Sequence, residues 1–122
     1  MTEMPPLQFA PSNGIRIGYY EAGPTSALPP VVLCHGWPEI AFSWRHQIQA
    51  LAAAGIRVIA PDQRGYGATE RAPAVEAYDL EQLTADLVGL LDHLHIERAV
   101  FVGHDWGGFV VKSGTPPAVI AR

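Results

Sequence analysis

The sequence predicts an α/β fold, a mostly parallel sheet with flanking helices. Three observations carry that expectation. Short apolar runs without polar alternation recur along the chain, helical periodicities lie between them, and each run leads into a segment rich in glycine and polar residues. Runs that do not alternate suit strands buried on both faces, as parallel strands are. Alternating strands and helices of this length give right-handed crossovers.

The elements follow in order. Ile15 to Tyr20 reads as a strand, and the Asn13-Gly14 turn before it makes Leu7 to Ala10 its hairpin partner. A Pro/Gly/Ser-rich linker runs from Gly23 to Pro30. Val31-Val32-Leu33-Cys34 is the first apolar run, Arg57-Val58-Ile59-Ala60 the second and Ala99-Val100-Phe101-Val102 the third. Between the first two, Ser43 is placed as an N-cap, Trp44, Ile48, Leu51 and Ala52 share one helical stripe, and Gly55 ends it. Between the second and third, Leu80, Leu83, Leu87, Leu90, Leu91 and Leu94 recur at helical spacing, with Asp79 and Glu81 at the favourable end of the helix dipole. His93 and His95, near the other end, read as solvated or dipole-compensating.

Composition narrows the function classes. The 122 residues are 48% hydrophobic and 16% charged, which is globular and suits one domain over 1–122. A formal net charge of -4 gives no reason to expect a nucleic-acid partner or an anionic membrane surface. A single cysteine, Cys34, forms no internal disulfide and reads as a buried strand residue. The first residues show no basic segment followed by an apolar one, and no apolar run reaches the ~20 residues needed to span a bilayer. The expectation is a soluble, cytoplasmic protein.

In open parallel sheets ligands bind beyond the carboxyl ends of the strands. The first run leads into His35-Gly36-Trp37-Pro38-Glu39, the second into Pro61-Asp62-Gln63-Arg64-Gly65-Tyr66-Gly67, the third into Gly103-His104-Asp105-Trp106-Gly107-Gly108. The last has the pattern of a nucleophile elbow, whose tight strand-to-helix turn needs small flanking residues and pushes the central side chain outward. That central residue is Asp105, a carboxylate already ionised at neutral pH. It is suited to displacing a leaving group at saturated carbon, giving an aspartyl ester that water cleaves through a tetrahedral oxyanion. Two N–H donors are needed for that oxyanion, and Trp106 and Trp37 are the candidates. His35 and His104 read as makers of structural hydrogen bonds, and Asp62 and Arg64 as residues that tie down their own turn. Trp44 reads equally as core or as pocket wall.

Together these segments, with Ser43-Trp44-Arg45 between them, resemble the N-terminal half of the α/β-hydrolase-fold epoxide hydrolases, from about Phe9 to Val111. The resemblance implies hydrolysis of a small-molecule epoxide to a diol, with Asp105 as nucleophile, Trp37 and Trp106 as oxyanion donors, Trp37, Pro38 and Trp106 against the substrate, and no metal or organic cofactor. Haloalkane and haloacetate dehalogenases share the aspartate and part of the pattern, so a dehalogenase is one alternative and a non-catalytic fragment another. The family also has a lid with two tyrosines, a later acid and a histidine that activates water. None of them has a counterpart here, since Tyr19, Tyr20, Tyr66 and Tyr78 all precede the elbow. The expectation is therefore an incomplete fold without lid and C-terminal half. The tail 112–122, with Gly114, Pro116 and Pro117, departs from the apolar helix expected after the elbow, as a frameshift after Val111 or an early end of the gene model would produce. The strand before the elbow is then expected to leave its far edge unpaired.

Overall fold

The computed structural model describes residues 4–25, 28–35, 40–65, 67, 69, 80–103 and 119–121, without the side chains of 80–82 and 119–121. Strands β1 (Leu7–Ser12) and β2 (Ile15–Ala22) form the expected hairpin. Asn13 and Gly14 both take positive φ, 51° and 81°, the turn geometry that matches strand twist. Strand β3 is Val31–Cys34. A 3-10 turn (Ala41–Trp44) leads into helix α1 (Arg45–Ala53), strand β4 (Val58–Pro61), helix α2 (Leu80–His93) and strands β5 (Val100–Gly103) and β6 (Val119–Ala121).

The sheet order is β1-β2-β4-β3-β5-β6. β2 runs antiparallel to β4, while β4, β3, β5 and β6 are mutually parallel. Strands β4 and β5 each lie one residue later than their apolar runs. Pairing decides this: Val31 stands opposite both Val58 and Val100, so the ladders begin there.

The unbroken apolar runs are explained by two-sided burial. Val32, Cys34, Ile59 and Phe101 join Leu87 and Leu90 of α2 in one core cluster, with Ala10, Ile17 and Tyr19 of the hairpin. Leu33, Val58 and Ala60 join Ile48 of α1 and Ala41 in a second, against which Trp44, Leu51 and Val102 pack.

Two expectations need correction, and one gains a detail. Ser43 does not cap α1: it lies inside the 3-10 turn, its hydroxyl donates to the Ile40 carbonyl at 2.7 Å, and the residue at the cap position, Trp44, makes no side-chain cap bond. His95 is exposed, as expected, and has a further role in ending α2. It sits at φ 57° just beyond α2, where Ile96 N–H reaches Leu91 O and His95 N–H reaches Asp92 O, the closing motif that Gly55 makes for α1. Finally, the far edge of β5 is paired. Phe101, Val102 and Gly103 stand opposite Val119, Ile120 and Ala121. The short run Val119–Ala121 takes up the ladder groups of β5 that were expected to stay open.

Candidate active site

Cys34 pairs with Gly103, so β3 and β5 leave the sheet side by side at their carboxyl ends. From there the chain runs on into the segments that carry Trp37 and Asp105. Trp37, Pro38, Asp105 and Trp106 themselves lie outside the described residues, as do His104, Tyr66 and Tyr78. What the structure describes is the frame around them.

His35 closes β3 and is 1% exposed. Its Nε2 accepts the Gln63 N–H at 2.8 Å, and its carbonyl accepts the Gln63 side-chain amide. An imidazole nitrogen that accepts from an N–H carries no proton, so neutral His35 holds its proton on Nδ1. The structural reading of His35 is therefore the observed one. Asp62, 3% exposed, accepts the Ala41 N–H on Oδ1 at 2.7 Å. Its carboxylate fills the space a Cβ at Gly67 would need, so only glycine fits at that close approach. Its N–H donates to Gly18 O at 2.9 Å, and its carbonyl accepts the Thr69 hydroxyl, which in turn accepts the Gly18 N–H at 3.0 Å.

Arg64 turns the other way. Its Nε and Nη2 donate to Asp86 of α2 at 3.0 and 2.8 Å, a two-point pair 4–5% exposed. Asn13 Nδ2 donates to Asp86 Oδ1 at 3.1 Å, and the Ser12 hydroxyl donates to the Asp86 carbonyl at 2.7 Å. Asp62 and Arg64 thus tie down the turn after β4, as expected, and do so through bonds to other elements. Gln63, Thr69 and Asp86 escaped the sequence reading. Asp86 had left a signal: it falls on the Leu83, Leu87, Leu90 stripe, where a charge faces the core unless paired.

Burial outweighs the Arg64 and Asn13 contacts and raises the Asp86 carboxyl above its usual value. Burial also raises Tyr20, helped by the charge of Asp62. The Cys34 thiol, fully buried, is pushed up to about 12, which leaves no thiolate at neutral pH. Trp44 packs on the α1 core cluster, and its Nε1, buried, meets no acceptor among the described residues. Among the described residues no three His, Cys, Asp or Glu side chains are placed to hold a metal ion. None of the described helices is long and apolar enough to cross a membrane.

A family model for the alpha/beta hydrolase fold matches residues 29–111. The chain belongs to that family. Within it, the chain is 60% identical over 107 residues to epoxide hydrolase A of Mycobacterium tuberculosis, covering 88% of the chain and 33% of the relative. It is 51% identical over 98 residues to bifunctional epoxide hydrolase 2 of Sus scrofa, covering 80% and 17%. The crystal structure of epoxide hydrolase A from Mycobacterium thermoresistibile superposes with a TM-score of 0.82 at 55% identity, covering 88% and 33%. The chain thus spans a third or less of the length of these relatives.

Proposed function

We propose that this chain carries the nucleophile and oxyanion donors of an epoxide hydrolase. The observation that supports the reading is the pairing of Cys34 with Gly103, which ends β3 and β5 side by side just before the sequence segments that carry Trp37 and Asp105. The identity to named epoxide hydrolases over most of the chain supports the substrate class.

In this reading an Asp105 carboxylate oxygen attacks an epoxide carbon. A C–O bond forms, the ring C–O bond breaks, and the released alkoxide takes a proton. Water then adds to the Asp105 carbonyl carbon, losing a proton. The Trp37 and Trp106 N–H groups hold the resulting oxyanion, and its collapse expels the diol and restores the carboxylate. Pro38 stands beside Trp37 at the substrate, and no step calls for a metal or organic cofactor. A dehalogenase would share the first displacement, but the relatives above lend it no support.

No histidine follows His104 in these 122 residues to activate that water, so the ester is expected to accumulate. Incubating the folded chain with an aryl epoxide should give a covalent adduct by mass spectrometry, mapped to Asp105 and lost in Asp105→Ala. Folded protein that forms no adduct would leave the non-catalytic fragment as the correct reading.

A further inference from the structure

The segment 36–40 is bounded by two buried residues, His35 and Ala41, 1% and 0% exposed. Both are bonded to consecutive residues of the turn after β4. At one end Gln63 holds His35 twice, its N–H on the imidazole Nε2 and its side-chain amide on the carbonyl. At the other, the Asp62 carboxylate takes the Ala41 N–H at 2.7 Å. The turn is itself fixed on both sides. Asp62 is bonded through its backbone to Gly18 and Thr69, and Arg64 is bonded to Asp86 of α2.

We propose that Asp62 and Gln63 are positioning residues, a two-point clamp that fixes His35 and Ala41, the two residues bracketing segment 36–40. Asp62 is 3% exposed with Oδ1 already occupied, which suits anchoring rather than proton transfer. Oxyanion stabilisation depends on donors fixed in advance of the charge they meet. The chemical consequence rests on the reading of Trp37 as such a donor. It predicts a split between steps. Attack by Asp105 does not call on the Trp37 N–H, whereas breakdown of the ester does.

Three variants of the full chain test the clamp. Gln63→Met keeps the side-chain volume but cannot donate to His35 O. Asp62→Leu removes the acceptor for Ala41 N–H, and Asp62→Asn keeps an oxygen there. Hydrogen exchange at the amides of 36–41 is expected to rise about tenfold or more in Gln63→Met and Asp62→Leu, to stay near the parent in Asp62→Asn, and to be unchanged in α2 and the hairpin. A uniform rise across the chain, or none at 36–41, overturns the clamp. In parallel, ester formation on Asp105 and its loss at alkaline pH, where hydroxide replaces a general base, are followed by mass. Formation should change by less than about threefold, while loss slows on the order of a hundredfold in Gln63→Met and Asp62→Leu. Equal slowing of both steps overturns the catalytic consequence. A parent that forms no ester refutes the proposed function instead, and the exchange result still decides the clamp.

Discussion

Helices α1 and α2 cover opposite faces of one sheet, but they are held there by different forces. Helix α1 docks through an apolar patch centred on Ile48, with Trp44 and Leu51 beside it, and its described side chains make no ion pair to the sheet. Helix α2 adds directional bonds to its leucine stripe: Asp86 takes Arg64, Asn13 and Ser12 at fixed distances. Apolar packing tolerates small slides, whereas a two-point Arg–carboxylate pair fixes orientation as well as distance. The bonded face is also the one that holds the turn after β4, next to the candidate site. Orientation is specified where the chemistry would need it, and left to packing elsewhere.

The sharpest way to break this contrast is to unpair the ionic anchor. Asp86→Leu takes the carboxylate away from the buried Arg64 guanidinium and should lose about 3–5 kcal/mol in denaturant unfolding, whereas Arg64→Met with Asp86→Leu together should recover most of it. The pH dependence sharpens the point. Because burial raises the folded-state pKa of Asp86 above its unfolded value of about 3.9, its favourable contribution is complete below that value and is lost as pH rises through the folded pKa. The double variant should therefore gain on the parent between pH 4 and pH 7. A double variant as unstable as the single one would show that the pair itself stabilises the fold.

Next in size come the apolar anchors of each face. Leu90→Ala and Ile48→Ala should each lose about 2–5 kcal/mol, and because they lie in separate clusters the losses should add within about 0.5 kcal/mol. Gly89 is smaller but specific to the α2 face. A Cβ there would overlap the Ser12 hydroxyl, so Gly89→Ala should cost about 1–3 kcal/mol despite the better helix propensity of alanine. Calorimetry on Gly89→Ala, alone and with Ser12→Ala, would read that contact. The smallest effects compare the helix ends. His95 occupies the left-handed position that Gly55 fills for α1, so His95→Gly should gain about 1 kcal/mol and Gly55→Ala lose about as much, read as opposite shifts in Tm.

The sequence made most of the scaffold legible because its signals are local. Asn13-Gly14 specified the hairpin, apolar runs marked the buried strands, and leucine spacing marked α2. The misses lie where partners decide. Strand limits shifted by one residue because ladders start where neighbours meet. Ser43 met a 3-10 turn instead of a free helix end. The cross-links at the strand ends join residues as far apart as Ser12 and Asp86, which no short window connects. At the candidate site, the motif order identified the segments, and the His35 and Asp62 bonds define the frame that flanks them. The clamp itself was not legible, since nothing in Asp62-Gln63 announces which carbonyl or N–H it will meet.

Cys34 has a practical consequence. It ends the strand between β4 and β5, fully buried, with its thiol pushed up to about 12. As the only sulfhydryl in the chain, it is silent to alkylating reagents until the middle of the sheet opens. The rate at which a maleimide labels the untouched protein is thus a clock for whole-sheet unfolding that needs no engineered probe.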